Sequence, residues 1–238
     1  MINVTKTLRL IAVSVLLAQN VSAQTDSIHT YHRHFAEFYV MGGGQFVNFS
    51  GLNNRLQKAG IDKLTAGMAG FGVGIDFNIN RWTVGTDVLL TGGYQQDVSA
   101  TSINGHIYFG YNVLQTRTWA LAPEIGIGFQ SITVDITRPG TAGGFDNALT
   151  NAQNQVELQH GTTPLDAALA FRTRSYLPLF GHVGIKPACK FGYRYGAGDN
   201  TWKVRRSDVH DGPRDRASNF YLTLSLSFGR NPGSSPGE

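Results

Sequence analysis

An all-β fold, an eight-stranded antiparallel up-and-down transmembrane β-barrel, is predicted by three features of this 238-residue sequence. The closing run at 219–228 (NFYLTLSLSF) alternates apolar residues with hydroxyl-bearing ones without interruption. Because successive side chains of a strand point to opposite faces, this strand has one apolar wall and one polar wall. An export signal opens the chain, and short connections alternate with longer ones between eight strand-like runs.

Residues 1–23 have the features of a cleavable signal peptide. Two basic residues precede an apolar core of 9 residues at 10–18 (LIAVSVLLA), and the small-residue pattern that follows predicts cleavage between Ala23 and Gln24. The apolar core is too short for a membrane-spanning helix, which needs roughly 20 apolar residues. The alternative to a signal peptide is a buried N-terminal helix. The exported chain then comprises a periplasmic N-terminal tail at 24–34, the barrel at 35–228 and a C-terminal tail at 229–238.

Composition excludes several classes of protein. Removal of the signal peptide takes away two of the 20 basic residues and none of the 16 acidic ones, which leaves 18 against 16. A nearly equal number of basic and acidic residues argues against a nucleic-acid-binding protein, which needs a clustered basic face. The single Cys189 excludes an intramolecular disulfide. No cofactor or metal is predicted: His29, His32 and His34 are interpreted as a loose tail, because a structural metal site usually needs four ligands.

The eight strands are predicted at 35–49, 68–79, 82–91, 101–114, 119–133, 165–174, 181–195 and 219–228. Most approach the roughly 9–11 residues that a tilted strand needs to cross a bilayer. Connections at 80–81, 115–118 and 175–180 are short, and those at 50–67, 92–100, 134–164 and 196–218 are longer. An even strand number places both termini at the short-turn, periplasmic side. A hairpin hidden in 134–164 would raise the count to ten.

The two-residue period recurs in the interior strands. In the second strand Phe71 and Phe77 face one way while Asp76 faces the other, and in the fourth strand His106 and Tyr108 point inward. Aromatic residues are predicted at the short-turn rim, where a membrane interface favours them: Trp82, Trp119, Tyr176, Phe180 and Phe228. A soluble β-sandwich would also alternate, but it has no reason to place aromatic residues there. In the first long connection, Leu52, Leu56, Ala59 and Leu64 have helical spacing and predict a short capping helix.

With its signal peptide, eight alternating strands and closing NFYLTLSLSF, the segment from Phe35 to Phe228 resembles the small outer-membrane β-barrel proteins of Gram-negative bacteria, the OmpA/OmpX type. The resemblance implies an outer-membrane location, contact with outer-membrane lipids and lipopolysaccharide, and insertion by the barrel-assembly machinery. The closing strand looks like the family's C-terminal assembly signal, although ten residues follow Phe228 where many members end. Family members include structural anchors, adhesins, narrow pores and a few lipid-processing enzymes.

Alternation also predicts a set of charged residues inside the barrel. They are Glu37, Asp76, Asp87, Glu124, Asp166, Arg172, Arg174, Lys186, Lys190 and Arg194. Five acids and five bases in a narrow cylinder should pair, because an unpaired charge away from water is costly. Since an eight-stranded barrel is only just wide enough for its own side chains, a lumen plugged by ion pairs is favoured over a narrow pore. Glu124 and Arg172 are predicted partners on adjacent strands.

Catalysis finds little support. A barrel lipase or acylase needs a serine activated by a histidine near the outer leaflet, and no local motif frames His106, His160, His182 or His210 in that way. The last long connection carries Lys203, Arg205, Arg206, Arg214 and Arg216, which are interpreted either as a solvated loop or as a lipopolysaccharide-binding set. The predicted role is therefore non-catalytic and structural or interaction-based, with an unknown extracellular partner. A narrow porin-like channel is the alternative, and a lipid-modifying enzyme ranks third.

Overall fold

A computed structural model describes residues 35–95, 98–138, 154–180, 183–198, 201–204 and 212–230. The predicted signal peptide, its cleavage site between Ala23 and Gln24, and the tail at 24–34 lie outside the described residues. Within the described ranges, no helix is both long enough and apolar enough to cross a membrane.

Eight strands build the fold: β1 Phe35–Val47, β2 Gly67–Ile79, β3 Trp82–Gln95, β4 Val98–Tyr111, β5 Trp119–Arg138, β6 Asn154–Thr173, β7 Val183–Ala197 and β8 Asn219–Arg230. One helix, α1 Ser50–Lys58, follows β1. Short strands at Leu114–Gln115, Leu177–Phe180 and Lys203–Val204 pair with β5, β7 and β6 respectively. The last strand thus ends at Arg230, two residues beyond the predicted barrel boundary.

The sheet closes on itself. Every strand pairs antiparallel with the next in sequence, and β1 pairs with β8, where Gly42 lies opposite Leu224. The predicted all-β, eight-stranded up-and-down barrel is confirmed. The ten-strand alternative is wrong. Strand β5 continues to Arg138 and β6 begins at Asn154, and these two strands pair with each other as one long hairpin instead of enclosing a further one.

The outer wall of the barrel is apolar over most of its height. Leu224 is 62% exposed in the middle of β8, and Ile125 is 67% exposed in β5. Along β5 the outward apolar residues run from Trp119 to Phe129. At about 3.3 Å per residue and a tilt of about 40°, this run spans roughly 25 Å, the height of the apolar band of a membrane barrel. We call this belt the apolar girdle.

The polarity of both faces reverses beyond the girdle, toward the long-loop end. Up to Gly128 the inward residues of β5 are alanine, glutamate or glycine, but farther along Ile132, Val134 and Ile136 point inward and are fully buried. Ser131 and Thr137, on the opposite face, are exposed. The same reversal occurs in the extended part of β6 and at the start of β4. The barrel wall therefore continues past the girdle as a sheet with a polar exterior and an apolar interior.

Helix α1 covers this apolar interior. Leu52 and Leu56 are completely buried on its inner face, and Leu64 packs into the same core in the segment that follows. The predicted capping helix is confirmed. Its neighbours in this core, which we call the cap core, include Val47, Phe49, Met68, Val98, Ile132, Val134, Ile136, Leu158 and Trp202.

Aromatic side chains gather at the short-turn end, largely as predicted. Trp82 stacks on Phe109 with ring centroids 4.7 Å apart, and Trp119 stacks on Phe171 at 5.3 Å. Tyr176 also lies at this end, where its hydroxyl donates to Glu37 in the barrel mouth. Burial, with the Glu37 carboxylate, raises the pKa of Tyr176 to about 12, so the hydroxyl keeps its proton at neutral pH.

Candidate functional site

The barrel lumen within the girdle contains a network of charged side chains, which we call the lumen network. Nine of the ten predicted residues belong to it: Glu37, Asp76, Asp87, Glu124, Asp166, Arg172, Lys186, Lys190 and Arg194. The tenth prediction, Arg174, is wrong. It lies one residue beyond the end of β6, where alternation no longer applies; its side chain is exposed and donates to the Thr116 carbonyl oxygen in the neighbouring short turn.

The centre of the network is built around Glu124, whose side chain is 2% exposed. Arg172 on the adjacent strand contacts one carboxylate oxygen, and the Lys190 ammonium lies 3.0 Å from the other. The predicted Glu124–Arg172 pair is confirmed. Arg172 also lies 3.5 Å from Asp76, and Lys190 lies 3.4 Å from Asp87. Each of the two cations is shared by two carboxylates, and Glu124 is shared by both cations.

Two further groups complete the network above and below this centre. Toward the short-turn end, Lys186 contacts Glu37 across the mouth, although their strands β7 and β1 are separated by β8. Toward the long-loop end, Arg194 lies 3.5 Å from Asp166 and over the ring of Tyr221 at 3.9 Å. Ion pairs therefore lie at three heights in the lumen, and at the centre and the short-turn end some of them join strands that are not neighbours.

Aromatic and imidazole side chains link the charged residues. The predicted network contained only charged residues and therefore omitted these side chains. Tyr39 donates to Tyr108 at 2.8 Å, and Tyr108 donates in turn to Asp76. His106 Nδ1 lies 3.0 Å from Asp87. The sequence signal for two of them was present, because alternation already placed His106 and Tyr108 inside.

Inward glycines make room for the lumen tyrosines. A Cβ on Gly74 would lie 2.3 Å from the Tyr39 ring, and one on Gly85 would lie 2.4 Å from the Tyr108 ring. Each glycine sits on the strand next to the tyrosine it accommodates. Because any larger residue would push the ring across the lumen, the glycines let a narrow cylinder be filled without overlap.

The network contains a small cavity on its short-turn side. This cavity has a volume of about 30 Å³ and lies between Glu37, Arg172, Lys186 and Lys190. A site needs roughly 10–15 Å³ of such volume to hold one water, so this cavity fits about two. It is too small for a solute of even a few heavy atoms, and the cap core closes the lumen at the other end.

The cap is joined to the barrel through Asp215. α1 has no capping side chain of its own, and the buried Asp215 carboxylate, from the last long connection, accepts from the backbone N–H groups of Gly51 and Leu52 at 2.6 and 2.7 Å. It also accepts from Trp202 Nε1 at 2.9 Å, and His160 Nε2 donates to the Asp215 carbonyl oxygen at 2.7 Å. A carboxylate at a helix N-terminus satisfies N–H groups that would otherwise be unpaired. We call these contacts the Asp215 clamp.

The predicted lipopolysaccharide-binding residues are only partly described. Lys203, Arg214 and Arg216 are exposed at the long-loop end, and the Arg216 guanidinium lies 5.3 Å from the Tyr195 ring centroid. Arg205 and Arg206 lie outside the described residues.

Two of the candidate catalytic histidines can be placed. His106 is buried against Asp87 in the lumen, and His160 is buried in the Asp215 clamp, so both serve internal contacts. His182 and His210 lie outside the described residues. Across the described ranges, no three His, Cys, Asp or Glu side chains are arranged to hold a metal ion.

No protein-family model and no curated protein matches the chain. Similar solved structures include neisserial surface protein A, at 14% identity and a TM-score of 0.39, covering 82% of this chain and 97% of that one. The outer membrane protease OmpT from Escherichia coli is 8% identical with a TM-score of 0.34, covering 87% and 98%. A major outer membrane protein from Thermus thermophilus is 13% identical with a TM-score of 0.36, covering 83% and 100%. At these values the likeness carries no argument about function.

Replacing Glu124 tests the lumen network. Glu124→Gln leaves Arg172 and Lys190 each with one carboxylate instead of two, so we expect the free energy of unfolding to fall by about 2–3 kcal/mol. Asp62→Asn, which removes an exposed carboxylate, should change it by less than about 0.5 kcal/mol. Guanidinium titrations of the refolded barrel give both values. Equal midpoints for Glu124→Gln and wild type would show that the pairing adds no stability.

Removing the Asp215 carboxylate tests the clamp. Asp215→Ala takes away the acceptor for Gly51, Leu52 and Trp202, and we expect the cap to lose about 2–3 kcal/mol of stability. In a protein whose other two tryptophans are replaced by phenylalanine, acrylamide should quench Trp202 more strongly in Asp215→Ala than in the parent. Asp215→Asn keeps one acceptor oxygen and should fall between them. Unchanged quenching in Asp215→Ala would mean that the cap stays closed without the clamp.

Proposed function

We propose that this protein is a non-catalytic outer-membrane β-barrel with a structural or interaction role, which displays long loops over a closed lumen. The observation that carries the proposal is the apolar girdle, about 25 Å high by the strand rise and tilt, around a lumen crossed by ion pairs. Monomeric water-soluble proteins rarely expose a continuous apolar surface beyond a few hundred Å². A bilayer is the solvent that suits a charged interior and an apolar exterior.

The orientation follows from the connections. Membrane barrels carry short turns on the periplasmic side and longer loops outside, so β1 begins and β8 ends toward the periplasm. The cap core and α1 then lie outside the cell. The alternating β8, with Phe228 near its end, supports insertion by the barrel-assembly machinery, and the exposed Lys203, Arg214 and Arg216 support contact with lipopolysaccharide.

A closed lumen is favoured over a channel by two separate barriers. Ion pairs cross the lumen within the girdle, and the cap core fills it beyond the girdle. An ion would have to break the charge pairs and then enter an apolar core, and each step carries a desolvation cost.

Electrical recording in a planar bilayer tests the closed lumen. We expect no discrete conductance steps from the refolded protein at any salt concentration, once heat-modifiable migration on a gel has shown that the inserted sample is folded. Steps whose ion selectivity shifts in Lys186→Ala would establish the porin-like channel and overturn the proposal.

Two arginine substitutions on the same face of β5 test the girdle. Ile125→Arg places a charge in the middle of the girdle, and we expect it to lower the free energy of unfolding in lipid vesicles by about 2–4 kcal/mol. Ser131→Arg, on the same outward face beyond the girdle, should change it by less than about 1 kcal/mol. Equal effects in urea titrations would mean that the girdle does not lie in the hydrocarbon.

A further inference from the structure

A line of aromatic side chains runs up the outer wall of β7 and across to β8. Phe191 and Phe220 are stacked with centroids 6.3 Å apart, and Tyr193 lies against Phe220 at 4.7 Å. Tyr195 continues the line on the same face of β7, two residues nearer the long-loop end. All four side chains are exposed. We call this line the aromatic stripe.

The upper end of the stripe coincides with the top of the apolar girdle. Tyr195 pairs in register with Leu165 of β6, and the next outward residue of β6 beyond Leu165 is the polar Thr163. Tyrosine has an apolar ring and a polar tip, which suits the boundary between hydrocarbon and headgroups. The stripe therefore reaches from the girdle to the level where lipid phosphates would lie.

An arginine lies at this upper end, and a second one precedes it in the chain. Arg216 lies over the Tyr195 ring, and Arg214, two residues before it, is also exposed. The residue between them, Asp215, does not neutralise them, because its buried carboxylate is engaged with Gly51, Leu52 and Trp202. The Asp215 clamp also fixes the backbone that carries both guanidinium groups. The backbone between the two arginines is therefore anchored before any ligand binds.

We propose that the aromatic stripe and its two arginines form a binding site for one phosphorylated lipid of the outer leaflet. The site takes the phosphate on Arg214 and Arg216 and an acyl chain against Tyr193, Phe191 and Phe220. Guanidinium groups match phosphate oxygens with two parallel hydrogen bonds, and flat aromatic rings offer contact area at little cost in conformational entropy. This site deepens the proposed function and rests on it, since a lipid reaches the stripe only if the girdle lies in a bilayer.

Charge and apolar surface are both needed, which separates a lipid from free phosphate. Inorganic phosphate could use the arginines but gains nothing from the stripe. A neutral lipid could use the stripe but leaves the arginines without a partner. The ligand chemistry that fits both is a phosphate monoester or diester attached to hydrocarbon.

The test compares lipid A binding by wild type and by the Arg214→Ala/Arg216→Ala double variant of the full protein. Both proteins are inserted into phosphatidylcholine vesicles with or without diphosphoryl lipid A and are then extracted in mild detergent. Native mass spectrometry measures the lipid A retained from the vesicles that contain it, and a titration of the lipid-A-free sample with lipid A gives the affinity. We expect the double variant to bind lipid A about tenfold more weakly, the loss that follows from removing a charge-assisted contact. Phe220→Ser, which keeps both arginines, should weaken lipid A binding and leave any binding of inorganic phosphate unchanged.

Lys63→Ala is the matched control. Lys63 is exposed and also lies at the long-loop end. It is on the opposite side of the barrel from the stripe, because Thr65, two residues later, lies next to Gly93 of β3. Its loss should leave lipid A affinity unchanged. Equal affinity of wild type and the double variant, an equal loss in Lys63→Ala, or displacement of lipid A by inorganic phosphate at comparable concentration would each overturn the site.

Insertion into vesicles without lipid A separates this proposal from the proposed function. If wild type does not insert there as a protected, heat-modifiable barrel, both fail together. If it inserts and the double variant retains lipid A as well as wild type does, only the lipid site fails.

Discussion

Hydrogen bonding between the first strand and the last closes the sheet, and the rest of the molecule depends on that closure. With β1 paired to β8, each of the eight barrel strands has a partner on both sides, so the barrel wall has no free edge. In a bilayer, where no water is available to backbone groups, this is what allows strands to cross at all. Closure also divides the side chains into an inner and an outer set, and every residue joins one of them by its position in the two-residue period.

A closed wall of eight strands leaves a lumen so narrow that its contents must fit one another. Tyrosines lie across from glycines, and Lys190 and Arg172 are each shared between two carboxylates. Ion pairs away from water contribute little net stability, because desolvation offsets much of their attraction. Their effect here is to pair most of the charges of the narrow interior and to fill it with the barrel's own side chains.

The same wall reverses its polarity along its length. Within the girdle it is apolar outside and polar inside, and beyond Gln130 it is polar outside and apolar inside. Helix α1 and Trp202 fill the apolar part, and the Asp215 clamp ties the first long connection to the last. The loops therefore emerge from a folded base rather than from an open rim.

Alternation within single strands was sufficient to determine the all-β class, the strand count, the outward Leu224 and Ile125, and nine of the ten lumen charges, because the period of two is a local property of the backbone. Even the Glu124–Arg172 pair followed, since its strands are adjacent in sequence. Only the tertiary structure decided what closure brings together from distant segments: Lys186 with Glu37, and Asp215 with the start of α1. It also decided where alternation stops, at Arg174, and where its polarity inverts, near Gln130. Those outcomes depend on which solvent or neighbour each face meets, and that is settled only when the whole barrel has formed.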